Sequence, residues 1–176
     1  QIATVATSHT PVPTDVRAML HRVTLDAFGL MLAARQTNYI EALKASCLDQ
    51  GAATAFGHGS GFTVQDATLI NGTAVHGEDF DDTFEGTPVH VSSVIVPTML
   101  AIAERENISR DRLINAMAQG SELICRLALV APTAIHRQGF HPTAILGAFG
   151  ASLTASIAYQ LTPQQTASAL GIVGSM

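Results

Sequence analysis

Positive charge is what this sequence has least of: one lysine, Lys44, and eight arginines among 176 residues, for a formal net charge of -5. Nucleic acid is held by stripes of basic side chains on its phosphates, and no such stripe exists here, so no nucleic-acid partner is expected. Cysteine is almost as scarce. Cys47 and Cys125 stand far apart and form no C-x-x-C pair, which predicts two reduced, buried thiols and a reducing compartment. No uninterrupted apolar run reaches the roughly 18 residues that a bilayer requires, and the N-terminus lacks the basic, apolar, small-residue order of a secretory signal. No membrane partner and a cytoplasmic location are the expectations. Missing too are a nucleophile elbow, H-E-x-x-H and a calcium loop, and Gly57-His58-Gly59-Ser60-Gly61 lacks the Gly-Lys-Ser/Thr of a phosphate loop. Charged residues make up 13% of the chain, against an ordinary share of roughly 25%. Part of the surface is therefore expected to meet another domain or subunit.

What is present is helical periodicity. After Pro13-Thr14-Asp15, the residues Val16, Met19, Leu20, Val23, Ala27, Leu30 and Met31 recur at three- and four-residue steps, which predicts an amphipathic helix of about five turns. Further helices are expected over residues 39–48, 64–84, 97–106, 110–130 and 142–159, with one short strand over 53–56. Thr63 and Ser109 stand as N-caps, Pro97 and Pro142 as first-turn prolines, and Thr162-Pro163-Gln164-Gln165 as a capping box opening a last helix. Ala144, Gly147, Ala148, Ala151 and Ala155 form a small-residue face suited to close helix packing. The prediction is an all-α bundle forming a single domain over residues 1–176. The helical pattern meets Met176 without a stop signal, which predicts truncation on the C-terminal side.

The chemistry concentrates in residues 71–93, NGTAVHGEDFDDTFEGTPVHVSS, which hold two histidines and five carboxylates in a chain otherwise poor in charge. If residues 64–84 are one helix, His76, Asp79 and Thr83 share a face near its C-terminal end, and Asp81 and Asp82 point elsewhere. Acidic groups at a helix C-terminus oppose the macrodipole and repel one another, so either function or a solvated acidic end must account for them. His90, between two valines, reads as a packed core histidine or, folded back by its short loop, as a partner of Asp79. His141 stands at the mouth of the helix beginning at Pro142, where free N–H groups favour anions; the alternative is a residue that merely ends a loop. His76, Asp79, Asp81, Asp82 and His90 could also bind a divalent ion, although their spacing matches no metal motif.

Taken in order, Asn71-Gly72-x-x-x-His76-x-x-Asp79-Phe80-Asp81-Asp82-Thr83, His90-x-Ser92-Ser93, Gly120-x-Glu122-x-x-x-Arg126-Leu127, Gly139-Phe140-His141-Pro142-Thr143 and Ala169-Leu170-Gly171-Ile172-x-Gly174-Ser175 resemble the MmgE/PrpD family across nearly the whole chain. Val91 stands where many relatives have proline. The family includes 2-methylcitrate dehydratase, cis-aconitate decarboxylase and iminodisuccinate epimerase, which use no iron–sulfur cluster or other cofactor. The resemblance implies the N-terminal part of a helical domain, without the smaller α+β domain that follows it, and usually a homodimer. It places the active-site aspartate and threonine on Asp79 and Thr83 and two catalytic histidines on His90 and His141, with no metal. His76 and Thr143, beside them, are expected to touch a small carboxylate substrate. Glu122 and Arg126 read as a structural i,i+4 pair. The family's catalytic lysines lie C-terminal to the Gly171 motif, outside residues 1–176. The implied function is a lyase acting on a di- or tricarboxylate, in the first instance a 2-methylcitrate dehydratase; decarboxylation, epimerisation, a non-catalytic dimerisation or binding module, and a metalloenzyme are the alternatives.

Overall fold

The computed structural model describes residues 2–6 and 11–176. Among them the helices are α1 (Ile2–Ala6), α2 (Thr14–Ala34), α3 (Asn38–Ser46), α4 (Val64–His76), α5 (Ser92–Arg105), α6 (Arg110–Val130), α7 (Ala134–Arg137), α8 (Pro142–Ala158) and α9 (Pro163–Val173). A two-stranded sheet pairs β1 (Ala53–Ala55) with β2 (Gly59–Phe62), antiparallel, with Ala55 opposite Gly59 and an irregularity between Ala53 and Thr54. The mainly helical class agrees with the periodicity, and β1 lies where one short strand is expected. The hairpin turn needs glycine: Gly57 and Gly59 both sit at positive φ, 86° and 89°, where other residues are strained. Buried Asn71 ties the hairpin to α4, accepting from the Phe56 N–H at 2.7 Å and donating to the Thr54 carbonyl at 3.0 Å.

Met31, Ile40, Ile70, Val75, Ile95 and Ile124 are fully buried and join α2 through α6 in one core. On α2, Leu20, Ala27 and Met31 face inward as predicted, whereas Met19 stays 54% exposed. The N-caps behave as their residue types require. The Thr63 hydroxyl accepts from the Asp66 N–H, Ser109 from Arg112, and Thr162 forms the complete capping box with Gln165. Helices α6 and α8 lie in close contact because glycines face each other. A Cβ on Gly120 would strike Thr154 Oγ1 and the Gly150 carbonyl, and one on Gly147 would come within 2.7 Å of Val94. The Thr154 hydroxyl crosses this seam to the Ala116 carbonyl at 3.3 Å. Helix α6 is long and apolar enough to cross a membrane by length and composition; in this structure one side of it packs against α8, α5 and α2.

Among the boundaries that differ from the periodicity, two bear on the site. The helix expected over residues 64–84 ends at His76. Tyr39 packs so closely on Gly77 that a Cβ there would lie 2.7 Å from the Tyr39 hydroxyl, and Asp79 then turns the chain with φ of 58°. Crowding Glu78, Asp79, Asp81 and Asp82 on the negative end of a longer helix is avoided by leaving the helix. Helix α5 starts at Ser92, so Pro97 lies inside it and is not a first-turn residue. Asp82 starts that helix early: its carboxylate accepts from the Ser92 N–H at 3.0 Å, satisfying a donor that the first turn leaves free.

Candidate active site

Because α4 stops at His76, residues 77–91 form a loop that returns to the helix end instead of extending it. Phe84 donates to the Val89 carbonyl at 2.9 Å, which closes the tip and buries Val89 completely. The next residue, His90, is held in place by α8: its N–H donates to the Thr143 hydroxyl at 3.0 Å, and Thr143 is itself buried. His141, the N-cap residue of α8, makes no capping bond with its side chain. Its ring turns instead onto the end of α4.

Three imidazoles and one carboxylate meet there. Asp81, whose side chain is wholly buried, has both oxygens 3.1 Å from His76 Nδ1, while His90 Nδ1 lies 3.2 Å from Asp81 Oδ1. The His90 contact has ion-pair distance but lies off the hydrogen-bond direction, leaving that buried nitrogen without a hydrogen-bond partner. On its other side His76 places Nε2 2.7 Å from His141 Nε2, the rings nearly parallel with centroids 5.0 Å apart. Asp79 approaches from solvent, 79% exposed at the side chain, with Oδ1 3.5 Å from His90 Nε2. Burial first, then the facing His76 and His90, lowers the pKa of His141 below its ordinary value against an upward pull from Asp79 and Asp81. A neutral imidazole able to take up a proton is therefore favoured at His141 near neutral pH.

The cluster opens into a groove of about 770 Å³ between α4, α5 and α8. His76, His141 and Thr143 line it together with Gly72, Ala144 and Gly147, small residues that keep that part of the lining apolar. The small-residue face of α8 thus serves two purposes: Gly147 and Gly150 pack on neighbouring helices, while Ala144 and Ala148 remain exposed to the groove.

Set against the residues expected from the sequence, His76, His90, His141 and Asp79 are brought together, with Thr143 beneath His90. Thr83 is not. It faces a separate cavity of about 400 Å³ that it shares with Asp82, Val16, Glu122 and Cys125, because the loop carries it past the end of α4. The shared helical face of His76, Asp79 and Thr83 is therefore corrected: the backbone there is not helical. Asp81, expected to point elsewhere, is the carboxylate at the centre. The crowding of acids at an expected helix end was its signal, since it argued against the helix that would have turned Asp81 away. In the second cavity Cys125 offers little chemistry, as burial pushes its thiol up to about 11. Both cysteines are free and only partly buried. Glu122 and Arg126 form the expected surface pair at 2.6 Å.

Among the described residues, His76, Asp79, Asp81 and His90 each offer a donor atom within 4.8 Å of the others, close enough for one divalent ion to bridge. Such an ion would have to displace contacts that His76 and Asp81 already make with each other.

The site is thus a helical scaffold that gathers imidazoles around a buried carboxylate at the mouth of a groove. The chain belongs to the MmgE/PrpD family: the MmgE/PrpD N-terminal domain matches residues 1–176. The chain is 25% identical over 173 residues to the cis-aconitate decarboxylase-like protein oryM of Aspergillus oryzae, an alignment covering 92% of this chain and 36% of that protein. It is 32% identical over 114 residues to human cis-aconitate decarboxylase, covering 62% of this chain and 24% of the relative. The chain thus spans about a third or less of the length of these curated relatives.

Proposed function

We propose that this chain carries one wall of the active site of a lyase acting on a small di- or tricarboxylate by proton transfer at the carbon next to a carboxylate. The observation that carries this reading is the convergence of His76, His90 and His141 around Asp81 at the groove mouth. Removing a proton beside a carboxylate leaves negative charge on the substrate, which must be met by donors or cations placed where it develops. A neutral imidazole can take the proton; the resulting imidazolium can return it to a departing hydroxide, giving dehydration. In decarboxylation no substrate proton is removed: the carbon–carbon electron pair stays on carbon as CO2 departs and is captured by a proton that an imidazole has first taken from solvent. His90 and His141 are assigned to position or protonate substrate, and Asp79 to hold His90. Thr83 enters the site only if the loop rearranges.

Histidines supply little positive charge for a polyanionic substrate, and lysines outside these residues are expected to complete the site. The 176-residue chain by itself is accordingly expected to turn over neither 2-methylcitrate nor citrate. Two relatives named for decarboxylation make cis-aconitate the first substrate to test, ahead of the 2-methylcitrate that the family resemblance suggests. The test is a panel of these acids with the full-length protein, following CO2 release and loss of water separately. His141→Ala is expected to cut turnover by about two orders of magnitude or more, as for loss of a general acid or base. Turnover near wild type would remove His141 from that role.

A further inference from the structure

We propose that Asp81 is a positioning residue: its buried carboxylate fixes His76 with the proton on Nδ1 and so sets one shared proton between the Nε2 atoms of His76 and His141. A neutral imidazole carries one N–H, and the hydrogen-bond network decides which nitrogen holds it. Both Asp81 oxygens lie 3.1 Å from His76 Nδ1. A bare Nδ1 would aim its lone pair at the carboxylate lone pairs, so the proton belongs on Nδ1. His76 Nε2 is then an acceptor, and among the described residues its hydrogen-bond partner is His141 Nε2 at 2.7 Å. Two protons in that gap would collide and none would leave two lone pairs opposed; a single proton satisfies both rings. The chain Asp81–His76–His141 thereby delivers a proton to, or withdraws one from, the imidazole that lines the groove.

Asp81 and not Asp79 does this, for reasons of burial and distance. The Asp79 carboxylate is exposed, touches His90 at 3.5 Å and is screened by solvent. The Asp81 side chain is closed off from solvent and contacts two imidazoles, so its charge acts at full strength on the rings beside it. A buried carboxylate left without such partners would be strongly unfavourable, which ties the rings to it as firmly as it is tied to them.

The consequence for turnover rests on the lyase reading; the placement of the proton does not. The experiment is a two-bond proton–nitrogen correlation spectrum of the protein labelled with 15N at histidine, recorded above the pH at which the rings protonate. His76 is expected to show a protonated Nδ1 and a bare, hydrogen-bonded Nε2. In Asp81→Ala, His76 should shift toward the Nε2–H form that free histidine prefers, while Asp79→Asn should leave the His76 nitrogens where they were. If the alanine variant fails to fold, Asp81→Asn keeps the shape without the charge, and the wild-type spectrum decides on its own. A wild-type His76 with its proton on Nε2, or His76 and His141 resonances indifferent to Asp81, would overturn the proposal. In the full-length protein, Asp81→Ala is expected to lower kcat about tenfold or more with little change in KM, as loss of a histidine's orienting partner does. A raised KM with intact kcat would instead make Asp81 a substrate contact. Should no carboxylate be turned over by the wild type, the lyase reading fails while the nitrogen spectra still decide where the proton sits.

Discussion

Three imidazoles meet at the mouth of α8, and one of them, His141, contributes to how the protein responds to acid. His141 is held below its ordinary value of 6.5 by burial first and by the facing His76 and His90 second. As the pH falls past that value, the unfolded chain takes up the proton before the folded one, so stability is lost through the window below it and the loss is complete once the folded group has also titrated. His141→Gln removes that increment. Its thermal midpoint should fall less than that of the wild type between about pH 7.5 and about pH 5.5; an equal or larger fall would show that His141 does not titrate in this way. Asp79 offers a second test at a single residue. It holds a left-handed φ of 58°, which glycine adopts without the penalty that a side chain brings. Asp79→Gly should therefore keep folding stability within about 1 kcal/mol of wild type, or raise it, in denaturant unfolding. On the proposed reading it should at the same time lower turnover by removing the carboxylate beside His90; a large loss of stability would make Asp79 a structural residue instead.

At the scale of elements, helix starts made by a local cap are legible in the sequence, and boundaries set by distant residues are less so. Thr63, Ser109 and Thr162 announce their helices through local hydrogen bonds that a four-residue window contains. The chain leaves α4 at Asp79, in the left-handed region, just after Gly77, against which Tyr39, distant in sequence, packs; no periodicity within residues 64–84 carries either feature. Likewise Pro97 reads as a first-turn residue until Asp82, ten positions before Ser92, is seen to cap the helix that contains it. The same limit explains the site. Sequence spacing brought out His76, Asp79, His90 and His141 but misplaced Asp81 and Thr83, because a loop and a helix present their side chains with different periods. The seam between α6 and α8 is the packing feature most open to test. Gly120→Ala places a methyl group against Thr154 Oγ1 and the Gly150 backbone, and should destabilise the protein by about 1–3 kcal/mol in denaturant unfolding, as overpacking does. An unchanged midpoint would mean that the helices part at no cost.

For the whole molecule, the mainly helical class followed from periodicity alone, while the groove did not: it arises where α4, α5 and α8 diverge, a relation between elements that no single segment encodes. The groove, the histidines at its mouth and the buried carboxylate behind them make one continuous arrangement, and the family to which the chain belongs includes relatives named for carboxylate decarboxylation. The central claim is that this arrangement moves protons on a bound carboxylate. The measurement that tests it most directly is turnover of cis-aconitate, citrate and 2-methylcitrate by the full-length protein, wild type beside His141→Ala. The account predicts turnover of at least one of these acids and a loss of about 100-fold or more in the variant. Equal rates in the two proteins, or a wild type inert toward all three, would contradict it.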